Sequence, residues 1–150
     1  MQVILRETEA GDLSIFLEQQ LDPEAVQMAA LSSRDRDAFM AHWGKIFGDE
    51  SVFTRTVMLE EKVAGYVVCF ERDGKKLVGY WIGREYWGRG IGTQALAALL
   101  RLVKERPLFA YAAEQNHASI RVLEKCSFVR RDRLVGEDGI PEIVFELGSG

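Results

Sequence analysis

The chain contains little cysteine, proline or histidine. Its 150 residues include two cysteines, three prolines and two histidines. The two cysteines, Cys69 and Cys126, do not suggest a disulfide framework, so a reducing cytoplasm is the predicted compartment. His42 and His117 have no partner at metal-ligand spacing, and we therefore predict no metal site.

Long hydrophobic runs and an excess of positive charge are also missing. No apolar run approaches the roughly 20 residues that span a membrane, and no signal peptide opens the chain. The 19 basic and 23 acidic residues give a net charge of −4. Because nucleic-acid binders usually cluster Lys and Arg, we expect no nucleic-acid partner and no membrane partner. The sequence leaves open whether the protein forms a homodimer.

The composition that remains is that of an ordinary globular protein. Hydrophobic residues make up 47% and charged residues 28% of the sequence. A length of 150 residues is enough for one domain with a sizeable core. We see no repeat, low-complexity segment or linker, and we predict a single domain over residues 1–150.

The hydrophobic periodicity predicts an α+β protein. Helices are expected to begin near three N-cap residues, Asp12, Ser33 and Asn116, and a fourth follows a glycine-rich loop. Asp73-Gly74 is a hairpin signal within a three-stranded meander. The predicted sheet is mostly antiparallel and is interrupted once by a β–loop–α–β unit. The predicted strands are 3–6, 52–59, 63–71, 77–82, 108–113, 128–135 and 143–147.

The glycine-rich loop is the strongest functional signal. It reads Trp-Gly-Arg-Gly-Ile-Gly-Thr over residues 87–93, between a predicted strand and a predicted helix. A helix N-terminus has unpaired N–H groups, and glycine removes the side chains that would keep a phosphate away. The loop therefore indicates a ligand that carries a phosphate or pyrophosphate.

Three other interpretations of this loop are weaker. Residues 90–95 also fit the dinucleotide fingerprint G-x-G-x-x-A. A Rossmann domain repeats strand–helix units, whereas here a hairpin meander precedes the loop and little chain follows it. The loop lacks the Gly-Lys-Ser/Thr of a nucleoside-triphosphate site. An ordinary glycine-rich turn is the remaining alternative.

Two segments resemble a known family. Residues 80–96 read Tyr-Trp-Ile-Gly-Arg-Glu-Tyr-Trp-Gly-Arg-Gly-Ile-Gly-Thr-Gln-Ala-Leu, and residues 116–128 read Asn-His-Ala-Ser-Ile-Arg-Val-Leu-Glu-Lys-Cys-Ser-Phe. Together they resemble the acetyl-CoA motifs of the GNAT superfamily of N-acetyltransferases. Their wording is most similar to the branch that contains ribosomal-protein N-terminal acetyltransferases. The resemblance covers residues 77–128.

The resemblance implies an acetyl-CoA-dependent N-acetyltransferase with a GNAT-like fold. The strands at 77–82 and 108–113 would splay apart, with the pantetheine arm between them and in contact with the backbone of Ile82. Asn116 would contact the same arm or order the loop beside it. The loop residues would hold the pyrophosphate, with Arg89 able to neutralise its charge; they are Gly88, Arg89, Gly90, Ile91, Gly92 and Thr93.

The chain departs from the family at the proton donor. Many members carry a tyrosine on the last helix, and the matching residue here is Leu123. Ser119, in the first turn of that helix, is a candidate donor, although a helix-start serine is its simpler interpretation. Glu85 and Glu114 are candidate bases, and Tyr111 could line the amine pocket. Each of the three also fits a role in surface solvation or packing.

These observations predict transfer of an acetyl group from acetyl-CoA to a primary amine by direct attack. The acceptor would be a small molecule or a peptide N-terminus. The rival hypothesis is a non-catalytic acyl-CoA-binding sensor, supported by the loss of tyrosine at Leu123.

Overall fold

The computed structural model describes residues 2–21, 36–136 and 139–148. The expected order of strands and helices is confirmed there, while the helix start expected at Ser33 lies outside the described residues. The strands are β1 (Val3–Glu7), β2 (Phe53–Leu59), β3 (Lys62–Arg72), β4 (Lys75–Ile82), β5 (Leu108–Ala113), β6 (Val129–Val135) and β7 (Pro141–Leu147). The helices are α1 (Leu13–Gln20), α2 (Arg36–Phe47), α3 (Ile91–Leu102) and α4 (His117–Lys125). None of these described helices is long and apolar enough to cross a membrane.

The seven strands form one sheet in the order β1-β2-β3-β4-β5-β7-β6. Every neighbouring pair is antiparallel except β4 and β5, which are parallel and pair only at Leu77 and Phe109. By contrast, β4 and β3 pair continuously from Ile82 with Gly65 to Lys75 with Arg72. Since Leu77 and Phe109 lie near the start of their strands, β4 and β5 separate towards their carboxyl ends. The predicted fold class, with its splayed central pair, is confirmed.

The predicted hairpin between β3 and β4 is present at Asp73-Gly74. Both residues have positive φ, at 53° and 78°. Two successive left-handed residues match the right-handed twist of a hairpin, which is why Asp-Gly is favoured there. The β2–β3 turn uses Glu60 and Glu61 in the same left-handed region, at φ values of 51° and 68°.

Helices cover both faces of the sheet, and each face has its own core. We call the face under α3 and α4 the first face, and the face under α1 and α2 the second face. The first-face core includes Leu96 and Leu99 of α3, Leu123 of α4 and the inward residues of the central strands. The second-face core is aromatic and consists of Leu13, Phe16, Leu17, Phe39 and Trp43. Each fully buried large side chain contributes roughly 1.5–3 kcal/mol.

Asp12 occupies the N-cap position of α1, as the sequence predicts, but its side chain makes no capping hydrogen bond. It ends a short 3-10 turn (Ala10–Asp12), and its carboxylate turns back towards the sheet. There it accepts hydrogen bonds from Arg6 at 2.7 and 2.8 Å, from the backbone N–H of Glu9 at 2.9 Å and from the hydroxyl of Thr56 at 2.8 Å. The network ties the start of α1 to β1 and β2.

The predicted boundaries of α4 are confirmed. Asn116 is the N-cap, and its side-chain oxygen accepts a hydrogen bond from the N–H of Ser119 at 3.2 Å. At the other end Ser127 has a φ of 73°, and the N–H of Phe128 donates to the carbonyl of Leu123 at 3.0 Å. Ser127 thus occupies a left-handed position of the kind that glycine adopts most readily at a helix end.

Candidate active site

The glycine-rich loop lies at the carboxyl end of β4, where the gap to β5 is open. A 3-10 turn (Arg84–Tyr86) leads into it. Gly88 and Gly90 have φ values of 79° and 73°, which only glycine adopts readily. Gly90 is the N-cap of α3 and supplies no side-chain cap, while Ile91, 1% exposed, fixes the helix to the first-face core. The first-turn N–H groups of α3 therefore remain available to an anion.

The last residue of β4 presents its backbone to the same gap. The N–H of Gly83 donates to the carbonyl of Ala64 at 2.8 Å, which makes this pair hydrogen-bonded across β3 and β4. Along an antiparallel strand, the backbone N–H and C=O groups of successive residues point to opposite sides. Since those of Gly83 point towards β3, the N–H and C=O of Ile82 point away from β3 and towards β5. The carbonyl of Ile82 accepts a hydrogen bond from the indole of Trp87 at 2.9 Å. This bond fastens the loop to the strand.

Gly92 lies where α3, α4 and β4 meet. A Cβ at Gly92 would be 3.4 Å from Val122 Cγ2, 3.6 Å from Tyr80 Cε2 and 4.0 Å from Ile82 Cγ1. A side chain there would enter the packing between the two helices and the strand. Glycine at this position therefore lets α3 lie close to α4 and β4.

Ser119 and Tyr80 meet at this junction. The hydroxyl of Tyr80 donates to Ser119 Oγ at 3.0 Å, which joins β4 to the first turn of α4. Tyr80 packs against the first-face core, and burial raises the pKa of its hydroxyl to about 12. Tyr80 therefore remains a neutral hydrogen-bond donor across the physiological pH range.

Leu123 is 2% exposed and belongs to the first-face core. It cannot donate a proton, and its position in the core is filled by apolar packing. Ser119 precedes it by four residues, so both lie on one side of α4. The Ser119 hydroxyl therefore lies one helical turn N-terminal to Leu123, the position at which the resemblance implies a tyrosine.

Tyr111 lies on the opposite side of the sheet from Ser119. Its neighbours Ala110 and Ala112 belong to the first-face core, and residues alternate along β5. The guanidinium of Arg72 lies 5.2 Å from the Tyr111 ring centre. Tyr111 therefore lies on the second face of β5, two residues beyond the last residue that pairs with β4.

A groove of about 440 Å³ opens on the second face beside the end of β4. The carboxylates of Glu18 and Glu85 line it, together with Ile15, Gln19, Gly83 and Arg84. Among the described residues, Gln19 Oε1 is a buried oxygen with no hydrogen-bond partner, while Gln19 Nε2 donates to the carbonyl of Val63 at 3.3 Å. The groove carries two negative groups and one positive group.

Glu114 differs from Glu85 in having an ion-pair partner. Its carboxylate is 2.6 Å from Arg133 Nε, and this hydrogen bond lowers the Glu114 pKa. The pairing makes Glu114 a weaker base than a carboxylate that lines an open groove. Glu85 is therefore the better placed of the two candidates.

The cysteines are not built for reactivity. Burial raises the pKa of both thiols, Cys69 in the first-face core and Cys126 at the end of α4. The position of Cys126 at a helix end predicts the same direction through the helix dipole, whereas desolvation is the cause that the structure gives. Within residues 2–21, 36–136 and 139–148, no group of three or more His, Cys, Asp or Glu side chains is placed to hold a metal ion.

The structure brings the predicted residues together in two sets. The glycine loop, Ile82, Asn116 and Ser119 lie around the gap on the first face, whereas Tyr111 and Glu85 lie on the second face. The sequence analysis missed Tyr80, although alternation on β4 places it on the same face as Ile82. It also missed Glu18 and Gln19, for which no sequence signal existed.

Comparison with known proteins gives the same fold. A spermidine N-acetyltransferase from Vibrio cholerae, solved with CoA and spermine, superimposes with a TM-score of 0.84 at 17% identity, covering 98% of this chain and 95% of that one. RimL, a ribosomal alpha-N-protein acetyltransferase solved with CoA, gives 0.82 at 15% identity, covering 99% and 94%.

Sequence comparison extends this likeness. An uncharacterised N-acetyltransferase, p20, of Bacillus licheniformis is 23% identical over 146 residues, which cover 89% of this chain and 82% of the relative. The model of the acetyltransferase (GNAT) domain matches residues 2–129. The family resemblance of the two sequence motifs is confirmed, and the chain belongs to the GNAT acetyltransferase family.

Proposed function

We propose that the domain formed by residues 1–150 transfers the acetyl group of acetyl-CoA to a primary amine by direct attack. One observation carries this proposal: β4 and β5 separate beside an uncapped helix N-terminus, and the gap joins two differently built faces. The first face offers backbone N–H groups to an anion, and the second offers an acidic groove. Membership of an acetyltransferase family supports the same reaction.

The loop fits a CoA pyrophosphate. At Gly88 and Gly90 nothing lies within 4 Å of a Cβ position, so the space in front of the helix start is open. Gly88, Arg89, Gly90, Ile91, Gly92 and Thr93 would hold the pyrophosphate, mainly through backbone N–H groups. The backbone of Ile82 would pair with the pantetheine arm. Because the Asn116 side-chain oxygen caps α4, its amide group would contact that arm.

When bound, acetyl-CoA supplies an activated acyl group as a thioester. The amine must be neutral, and Glu85 or water takes its proton. As the nitrogen lone pair forms the C–N bond, charge develops on the carbonyl oxygen, and the Ile82 N–H stabilises it. The C–S bond then breaks with its electron pair going to sulfur. The nitrogen then loses its second proton to water. The sulfur, which accepts a hydrogen bond from Ser119, takes a proton from that hydroxyl, which water restores, or from water directly, so that amine and thioester become amide and thiol.

The groove on the second face suits a cationic acceptor. Glu18 and Glu85 would attract an ammonium group, and Tyr111 would line the path to the gap. The relatives named above act on spermidine and on a ribosomal protein, which represent both expected classes, a small amine and a peptide N-terminus.

The proposal is tested by turnover. The purified protein is supplied with acetyl-CoA and, in turn, with polyamines, aminoglycosides, amino acids and peptides with free N-termini, and thiol release is measured. We expect an amine-dependent rate well above hydrolysis for at least one class. Tight CoA binding with no turnover of any amine would instead support the sensor hypothesis.

A further inference from the structure

Tyr80 and Ser119 form a polar contact one helical turn before Leu123, the residue that stands in place of the expected tyrosine. Tyr80 lies on β4, Ser119 is the third residue of α4, and their oxygens are 3.0 Å apart across 39 positions of sequence. The Tyr80 ring also packs beside Gly92 in the first turn of α3. Its hydroxyl is therefore held between the starts of α3 and α4, beside the proposed cofactor site.

This contact leaves the hydrogen of the Ser119 hydroxyl available to an acceptor other than Tyr80. A serine hydroxyl has one hydrogen and two acceptor lone pairs. Since Oγ accepts from Tyr80, its own hydrogen must point to another acceptor. The backbone at Ser119 is fixed as well, because its N–H donates to Asn116 Oδ1 at 3.2 Å. Both the backbone and the hydroxyl of Ser119 are thus held before any ligand arrives.

Tyr80 keeps this role over a wide pH range. Burial raises its pKa most, the Ser119 hydrogen bond opposes the shift, and the Cys126 thiol at the end of α4 adds to it. A tyrosine that stays protonated donates to Ser119 at any pH at which the amine can react. The hydrogen bond also polarises the Ser119 hydroxyl and makes it a better donor in turn.

We propose that Tyr80 is a positioning residue for the thiol end of the cofactor site. It holds Ser119 so that the serine hydrogen points at the cofactor sulfur. The family resemblance implies a tyrosine hydroxyl on the last helix, and here a tyrosine on β4 takes that place by acting through a serine. This inference rests on the proposed function, since it requires CoA to bind in the gap.

Calorimetry with CoA and with desulfo-CoA, which lacks the sulfur, tests the contact without turnover. We expect wild-type protein to bind CoA roughly fivefold more tightly than desulfo-CoA, the equivalent of one ordinary hydrogen bond. Ser119→Ala and Tyr80→Phe should each bring the ratio close to one, with little change in desulfo-CoA affinity. Tyr66→Phe removes a tyrosine hydroxyl on the second face and should keep the wild-type ratio.

Kinetics provide the second readout. With a turned-over amine, Tyr80→Phe and Ser119→Ala should each lower kcat by roughly tenfold while KM for acetyl-CoA stays constant. The double variant should lose no more than Ser119→Ala alone, because Tyr80 acts through Ser119. Additive losses would indicate separate structural roles and overturn the inference.

The two readouts separate the possible failures. A ratio of one in the wild type shows that Ser119 does not reach the sulfur. A ratio that falls in Ser119→Ala and persists in Tyr80→Phe shows that Tyr80 does not position it. If CoA binds with the expected ratios but no amine turns over, the positioning role stands and the proposed function fails. If CoA does not bind to folded wild-type protein, both are wrong.

Discussion

The candidate site uses backbone groups on one face of the sheet and side chains on the other. On the first face the candidate site consists mainly of backbone, with glycines at positive φ, an uncapped helix start and the end of β4. On the second face it consists of side chains, with Glu18, Glu85 and Arg84 around an open groove. Backbone groups are suited to bind a part of the ligand that is the same in every reaction, such as a pyrophosphate. Exposed side chains can be substituted to suit a different acceptor.

Charge reversal in the loop should have the largest effect. Arg89→Glu places a carboxylate beside the proposed pyrophosphate, and a charge-assisted contact is worth roughly tenfold to a hundredfold in affinity. We expect the Kd for CoA to rise by at least about tenfold, measured by calorimetry. Arg89 is exposed, so the fold should persist.

Arg101→Glu is the matched control for Arg89→Glu. It makes the same charge change on an exposed side chain in the last turn of α3, the helix that follows the loop. It should leave the Kd for CoA within about twofold of wild type, because dipole and charge effects act mainly within one turn. An equal loss in both variants would show that the loop is not the anion site. Gly92→Glu is a poorer test because its side chain would meet Val122 and Tyr80.

Loss of the Asp12 network should affect stability and the second face, not the loop. Asp12→Asn removes the charge that pairs with Arg6 and should lower the free energy of unfolding by about 2 kcal/mol, below the value for a fully buried pair because Arg6 is partly exposed. Urea unfolding measures this loss. The Kd for CoA should stay within about twofold of wild type, and a large change in it would contradict the separation of the two faces.

The pH dependence of stability follows from the same carboxylate. Burial tends to raise the Asp12 pKa, but the hydrogen bonds from Arg6, Glu9 and Thr56 together outweigh it and lower the pKa from 3.8. Its stabilisation is therefore fully present above pH 3.8 and is lost as the pH falls through the folded-state value. The difference in free energy of unfolding between wild-type protein and Asp12→Asn should shrink below about pH 4. Asp49→Asn, at an exposed site where hydrogen bonds from Ser51 also lower the carboxyl pKa, is the comparison variant and should show a smaller difference of the same sign.

The acidic groove should show the smallest effect, and only on the acceptor. Glu18→Gln should raise KM for a dicationic amine by about threefold and leave kcat unchanged, since an exposed charge pair is worth under about 1 kcal/mol. Glu85→Gln should lower kcat if Glu85 takes the proton. Glu71→Gln, at the opposite end of β3, is the control and should change neither KM nor kcat. Equal KM changes for a dicationic amine and for a zwitterionic amino acid would show that charge does not guide binding.

Salt provides an independent check on this groove. Raising ionic strength from about 0.01 to 0.15 M shortens the screening length from roughly 30 to 8 Å. The kcat/KM for the dicationic amine should fall more than that for the amino acid. Glu60 and Glu61 lie at the same end of the sheet and would add to the effect. Two further acidic residues, Asp22 and Glu24, lie outside the described residues.

The first face was largely predictable from sequence because its features depend on local backbone. Alternating glycines, the Asn116 cap and the Asp73-Gly74 turn each reflect rules that act over a few residues. The predicted strand at 108–113 matches β5 residue for residue. Local sequence is therefore sufficient to predict where the loop, the end of β4 and the start of α4 lie along the chain.

Features that depend on distant contacts were not predictable. Asp12 looked like a helix cap because the pattern of a cap is local, whereas its partners Arg6 and Thr56 are brought to it by the sheet. Tyr80 and Ser119 are far apart in sequence, and only the packing of β4 against α4 joins them. The groove is lined by α1 and the end of β4, and no periodicity in the sequence indicates that these two segments lie close together.

The alternation of β4 also limits how this protein can change during evolution. Tyr80 and Ile82 lie on the first face, the side of the proposed cofactor site, while their neighbour Trp81 pairs with Tyr66 on the other face. One strand thus carries two functions at interleaved positions. A substitution at Trp81 alters one without touching the other, whereas insertion of a single residue would exchange them all. New acceptors are therefore expected to arise through substitutions in β4, and through insertions only outside it.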